Sequence, residues 1–354
     1  MAKSLPYHEQ IAINNNKKLK ELIKELPEFV NDFFREIELR TSSRTRIAYA
    51  YDLKVFFDFL QKSNPIFKEI KLKDISVSML DNLKTVDLEE YKEYLKYYNN
   101  TSNTVHINKE RGITRKLSSL KSFYKYYFKR EMIETNPTAL IELPKIHDKN
   151  IVRLDLDEIV TLLDFVENGD LLTTSQKYYH NKNKVRDLAI LTLLLGTGMR
   201  VSECVGIDIT DVDFKNGGIL IHRKGGTEVV LYMSEEVEEA LTNYLEERKH
   251  IIAETNSENA LFLSMQKKRI NVRSVENLVK KYAKQITPLK NITPHKLRST
   301  YGTNLYRETG DIYLVADVLG HADVNTTRKH YAALDDERRR SAKDKVQLRE
   351  KKKD

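Results

Sequence analysis

Cysteine is nearly missing: Cys204 is the single one in 354 residues. One thiol builds neither a disulfide scaffold nor a cysteine-based zinc site, and a reducing cytoplasm is the expected compartment. Glycine and proline are scarce as well. Twelve and seven residues amount to about 5% of the chain, against a usual share of about 12%. So few turn-formers over this length argue for a helix-rich fold and against a many-stranded sandwich. Long hydrophobic runs are absent: the longest uncharged stretch, Leu188 to Met199, falls well short of the roughly 20 residues that span a bilayer. The opening residues, MAKSLPYHEQ, carry no apolar core of a signal peptide. No phosphate-cradling loop, dinucleotide fingerprint, HExxH or carboxylate-rich metal cluster is present, so neither a metal nor a cofactor is expected.

What remains is basic and long enough for about two domains. Sixty Lys and Arg against fifty-two Asp and Glu give a net charge of +8, a balance that points to nucleic acid without proving it. Residues 7 to 39 read as helical with a break at Pro27. From Thr45 to Leu60, Ile47, Tyr51, Val55 and Phe59 recur four apart on one helix face. Ile75 to Leu80 and Leu88 to Tyr98 read as two more helices. Thr104 to Arg130 reads as a long basic helix, or a pair interrupted near Gly112. Within it, Lys109 to Arg130 holds eight cations against Glu110 alone, with Phe123, Tyr124, Tyr126, Tyr127 and Phe128 interleaved. Such a helix lays cations along a phosphate backbone while its aromatics pack inward; the alternative is a solvated basic face. The candidate DNA-binding residues are Lys109, Arg111, Arg115, Lys116, Lys121 and Lys125.

Asn136-Pro137 and Leu143-Pro144-Lys145 end this half, and the polar stretch 147–153 reads as a linker. Leu156 to Val166 restarts an amphipathic helix, and Val185 to Leu195 is apolar nearly all round, as the central helix of a second core would be. Between Asp211 and Met233 the period changes to two, with a turn at Lys224-Gly225-Gly226. Helical patterns resume over Ser234 to His250, Val272 to Ile286 and Pro294 to Thr309. The last residues, 337–354, form a basic tail with nine cations and four acids.

Residues with chemical capacity lie far apart in the second half. Arg200 follows the apolar helix within Gly-Thr-Gly-Met-Arg-Val-Ser-Glu. Lys224 sits in the hairpin. His295 and Arg298 are three apart and so share a helix face. His321 follows Leu319-Gly320, and Tyr331 comes ten residues later. Arginines and histidines on one surface suit a phosphodiester, because they donate to non-bridging oxygens and stabilise charge without a metal; a tyrosine supplies a nucleophile. Each residue also has a plainer reading. Arg200 can cap a helix C-terminus and pair with Glu203, a hairpin lysine is commonly solvated, and His321 after glycine can be a C-capping group.

In order and spacing, GTGMRVSE, a lysine hairpin, HKLRSTYGT, LGHADVNTT and then Tyr331 resemble the signature of the tyrosine recombinases, and the resemblance covers essentially the whole chain. Within that family the chain is most similar to the bacterial Xer recombinases of the XerS type. The resemblance implies a mainly α fold, with a helical DNA-clamp domain ahead of an α-rich catalytic domain that carries a small β-hairpin sheet. The expected divisions are an N-terminal helical extension over 1–40, a SAM-like core-binding domain over 41–146, the linker, a catalytic domain over 154–336, and the tail. It further implies that Tyr331 attacks a scissile phosphate to give a 3′-phosphotyrosyl intermediate. His295 would be the base and Lys224 the acid, with Arg200, Arg298 and His321 on the phosphate oxygens and Glu203 orienting Arg200. A homotetramer on duplex DNA, a dif-like target site, chromosome-dimer resolution and an FtsK partner belong to the same implication. Two features depart from the Xer pattern: the interval from His321 to Tyr331 is one residue longer than is commonest, and Arg223 competes with Lys224 as the hairpin cation. Tyr301 and Tyr306 are assigned to packing. A phage or transposon integrase, or a type IB topoisomerase-like enzyme, would share this chemistry.

Overall fold

The structure is a computed structural model and describes residues 5–99, 104–146, 152–223, 226–321 and 324. Two compact units divide the chain, Met1–Lys149 and Asn150–Asp354. The expectations for the linker at 147–151, for Lys224, for Tyr331 and for the tail at 337–354 lie outside the described residues.

The first unit opens with α1 (Tyr7–Ile23) and α2 (Val30–Glu36), followed by α3 (Ser43–Ser63) and α4 (Thr85–Tyr94). The short strands β1 (Tyr97–Asn99) and β2 (Val105–Ile107) and the basic helix α5 (Glu110–Phe128) complete it. Ser42 starts α3 by accepting the Thr45 backbone N–H on its hydroxyl, the usual way a serine satisfies one of the orphan donors of a first turn. Leu19, Ile23, Val30 and Phe33 from the first two helices lie in the same core as Leu53, Phe57, Leu117 and Phe123. The segment expected as an extension over residues 1–40 therefore shares one core with α3 and α5. Aromatic rings fill that core edge to face. Phe33 and Phe123 lie 5.3 Å apart between centroids, Phe56 and Tyr91 5.2 Å, and Phe123 and Tyr127 5.0 Å.

Three sequence expectations change here. The buried face of α3 runs through Ala50, Leu53, Phe57 and Leu60; of the expected stripe Phe59 is buried, Ile47 and Val55 are half-buried on the flank, and Tyr51 is exposed. The helix expected over Leu88 to Tyr98 stops at Tyr94, and the one expected from Thr104 starts at Glu110. The residues between pair as an antiparallel hairpin, with Tyr97 opposite Ile107 and Asn99 opposite Val105. Tyrosine, valine and isoleucine favour a pleated surface as readily as a helix. Gly112 does not interrupt α5. The stretch expected as a helix over Ile75 to Leu80 is a short 3-10 turn over Val77–Asn82.

The second unit contains α6 (Leu156–Asn168), α7 (Thr174–Asn181), α8 (Lys184–Thr197) and α9 (Val201–Cys204). A three-stranded antiparallel sheet comes next, made of β3 (Val212–Asp213), β4 (Gly218–His222) and β5 (Glu228–Tyr232) in that order. Then come α10 (Glu235–Arg248), α11 (Val272–Ile286), α12 (Pro294–Thr309) and α13 (Ile312–Leu319). α8 is central, with Ala189, Ile190, Leu191, Leu193 and Leu194 all buried and with α6, α10 and α12 packed around it. The chain enters this unit pinned to α12, because the Leu154 N–H donates to the Thr300 hydroxyl at 3.0 Å. Beside α8, the buried Tyr282 hydroxyl donates to Asp187 at 2.9 Å and meets His180 Nδ1 at 3.1 Å. Burial pushes the His180 imidazole below its ordinary pKa, and the Tyr282 phenol joins it to the Asp187 carboxylate. α7, which supplies His180, has weak apolar periodicity and was not legible in the sequence. Cys204 is buried, and burial pushes its thiol up to about 12.

Candidate active site

α8 ends in a left-handed turn at Gly198, with φ at +62°. Glycine is required there on two counts: the backbone conformation disfavours a side chain, and a Cβ would lie 2.3 Å from the Tyr301 ring. The turn delivers Arg200 to the N-terminus of α9, where the Arg200 N–H donates to Glu203 at 2.7 Å and its Nη1 donates to the same carboxylate at 2.8 Å. The pairing with Glu203 is thus realised. It leaves the Arg200 side chain 38% exposed, with part of its five-donor fork turned to solvent.

The second half of the site is the end of α13. Gly320 is left-handed, with φ at +60°. Its N–H donates to the Asp317 carbonyl at 2.8 Å, and the His321 N–H donates to that of Ala316 at 2.9 Å. This is the Schellman arrangement, and it leaves the next carbonyls along the chain facing outward. Three arginines take them. Arg223 Nη2 donates to Val318 at 2.7 Å, Arg298 Nη2 to Leu319, and Arg200 Nη2 to Gly320 at 2.9 Å. Guanidinium cations at a helix C-terminus also complement the negative end of its dipole. Arg298 reaches this turn from α12 while its Nη1 donates to the Gly198 carbonyl at 2.8 Å. One buried side chain thereby ties the end of α8 to the end of α13.

The structure brings Arg200, Arg298 and the backbone of His321 to one turn, although the first and the last are 121 positions apart in sequence. His295 lies exposed on the first turn of α12, after Pro294, whose fixed φ suits that position. Tyr306 is buried against Val315 and Leu319 with Tyr301 beside them, and burial raises the Tyr301 phenol; both tyrosines pack in this cluster. Arg223, the rival of Lys224 in the sequence, places its guanidinium on the α13 carbonyls.

The basic helix divides in two. Lys109, Arg111 and Lys125 are exposed. Arg115, exposed as well, forms a two-pronged pair with buried Asp52 at 2.5 and 2.7 Å, and the Ser119 hydroxyl donates to the same carboxylate. Lys116 is buried and reaches the Asn108 side chain at 3.3 Å, and Lys121 donates to the Ile141 carbonyl at 2.7 Å. Asp52→Ala removes the acceptor shared by Arg115 and Ser119. It is expected to cost about 2–3 kcal/mol, the scale of hydrogen bonds to a charged group, read as a lowered denaturant midpoint; an unchanged midpoint would mean that the pair is idle.

The sequence matches the phage integrase family over residues 152–338 and the N-terminal SAM-like domain of phage integrases over 29–131. It is 36% identical over 332 residues to the tyrosine recombinase XerC of Caldanaerobacter subterraneus subsp. tengcongensis, covering 91% of this chain and 86% of that one. It is 32% identical over 353 residues to the tyrosine recombinase XerS of Streptococcus uberis, covering 93% and 98%. Among solved structures, XerH bound to a palindromic difH substrate in a post-cleavage complex superimposes with a TM-score of 0.63 at 21% identity, over 86% of this chain and 80% of that one; this likeness is one of fold. With both domain types in order and these relatives spanning nearly its whole length, the chain belongs to the phage integrase family, the tyrosine recombinases.

Proposed function

We propose that this recombinase exchanges strands between two dif-like sites in duplex DNA, acting as a homotetramer to resolve chromosome dimers, with an FtsK translocase as partner. The observation that carries the catalytic part is the convergence of Arg200 and Arg298 on the turn that delivers His321. The biological part is supported by the likeness to XerC and XerS and by a fold neighbour whose substrate is difH.

In this reading the Tyr331 hydroxyl attacks the scissile phosphate, the P–O5′ bond breaks, and a 3′-phosphotyrosine and a free 5′-hydroxyl result. A phenol of pKa about 10 needs its proton removed at neutral pH, and His295 takes it. Lys224 protonates the departing 5′-oxygen. Arg200, Arg298 and His321 hold the non-bridging oxygens, where preorganised donors stabilise the charge that grows in the transition state. Glu203 fixes Arg200 before DNA arrives, so little reorganisation is left for the reaction itself. The 5′-hydroxyl of a partner strand then attacks the phosphotyrosine. One phosphodiester replaces another, so no ATP is consumed.

The test is a supercoiled plasmid carrying two candidate sites, incubated without ATP and with EDTA. Recombinant circles at an undiminished rate are expected. Relaxation without recombinants would favour a topoisomerase, and strong EDTA inhibition would contradict charge stabilisation by side chains.

The exposed cations of α5 supply the sequence-independent part of binding. Arg111→Ala and Lys125→Ala should weaken binding to all duplexes alike, each lowering the slope of log K against log salt by about one unit. Fluorescence anisotropy at several salt concentrations measures this; an unaltered slope would make α5 a solvated face.

A further inference from the structure

The third arginine on the α13 turn has no place in that scheme. Arg223 stands at the base of the β4–β5 loop, where its N–H donates to the Thr227 carbonyl at 2.8 Å and its carbonyl accepts from the Gly226 N–H at 3.2 Å. The stem below is closed by the pairing of His222 with Glu228, 3.2 Å apart. Lys224 is the next residue along the chain. The Arg223 guanidinium leaves the hairpin altogether. It spans the Val318 carbonyl at 2.7 Å and the Asp317 carbonyl at 3.4 Å, and it lies flat on Gly320, where a Cβ would come within 2.3 Å of Nη1 and 2.5 Å of Cζ. Its Nε–H is buried without an acceptor among the described residues. The group is therefore held for its contacts with the turn, at the cost of one donor.

We propose that Arg223 is a positioning residue of the cleavage reaction, fixing the chain one residue before Lys224 onto the α13 turn that delivers His321. This rests on Lys224 as the acid for the leaving 5′-oxygen. Two groups 97 positions apart in sequence then keep one spacing across the scissile phosphate, one on the leaving side and one on the non-bridging oxygens. Glycine at 320 serves the same contact, since any side chain there would displace the guanidinium.

Chemistry at the leaving atom separates positioning from mere stability. A 5′-bridging sulfur leaves as a thiolate of pKa about 8.5 and needs no proton, whereas the natural oxygen does. Wild type, Lys224→Ala, Arg223→Ala and Arg223→Lys are compared in single-turnover adduct formation on nicked duplexes carrying either bridging atom.

Arg223→Ala is expected to be slowed about tenfold or more on oxygen, within the 10²–10⁴-fold scope of general acid catalysis, and to return to within about threefold of wild type on sulfur. Arg223→Lys, whose single ammonium serves one carbonyl in place of a fork, falls between. Recovery on sulfur itself shows that the variant is folded; if Arg223→Ala does not bind DNA, Arg223→Lys carries the same comparison. Wild-type rates on oxygen would overturn the proposal. So would equal slowing on both linkages while Lys224→Ala is rescued by sulfur, since the defect would then lie elsewhere. If Lys224→Ala itself is not rescued, the assignment of the acid fails first and the proposal falls with it.

Discussion

Arg298→Ala is expected to slow cleavage by about 10²–10³-fold, the loss caused by removing one preorganised charge stabiliser. It is also expected to destabilise the second unit. The Arg298 side chain is 5% exposed and donates to the Gly198 and Leu319 carbonyls at the ends of two helices. Truncation leaves both acceptors buried without a partner, at about 1–3 kcal/mol each. Arg200→Ala separates the two effects. It should cost a similar factor in cleavage but less stability, because its side chain is 38% exposed and water can replace it. Arg298→Lys should recover little, since a lysine is a point charge and cannot span two carbonyls as a planar fork does. Single-turnover cleavage and a denaturant titration on each variant give the comparison; unimpaired cleavage by Arg298→Ala would remove it from the phosphate.

Tyr331→Phe should abolish the covalent adduct while leaving DNA affinity within about twofold, because only the nucleophilic oxygen is lost. The nearby alternatives are poor substitutes. Tyr306 is buried at 7% exposure, and Tyr301 packs over Gly198 with its phenol raised by burial, so neither offers an accessible, easily ionised oxygen. An adduct that survives in this variant, trapped on a nicked duplex and resolved by denaturing gel, would move the nucleophile to another tyrosine.

The mainly α class and most helices of the second unit were legible because their periodicity is strong and their ends are marked. The bounds of α11 and α12 match the apolar pattern residue for residue, since Asn271 caps one with its side chain and Pro294 opens the other. The β1–β2 hairpin was missed because tyrosine and isoleucine suit strand and helix alike over a few residues. The face of α3 was misplaced because a helix with this many apolar residues supports more than one stripe, and tertiary packing decides between them. At the site, Arg200, Arg298 and His321 were legible only as a spaced motif. Their reason for converging was not, because what gathers them is the set of orphan carbonyls at the end of α13, and backbone acceptors have no residue type. The role of Arg223 was hidden for the same cause. Likewise Arg115, Lys116 and Lys121 look like free cations in sequence, and only the fold reveals that Asp52, Asn108 and the Ile141 carbonyl engage them.

In the proposed reaction a tyrosine attacks the scissile phosphate and the enzyme is retained on the 3′ side of the break. A duplex nicked just beyond the scissile phosphate lets the short 5′-hydroxyl fragment diffuse away and traps that intermediate. Protease digestion and mass spectrometry of the trapped species identify the joined residue, and end-labelling identifies which DNA end it holds. A single peptide containing Tyr331 is expected, joined through a 3′-phosphate, with a free 5′-hydroxyl on the released strand. A 5′-phosphate linkage, attachment at any other residue, or cleavage without a covalent species would contradict it.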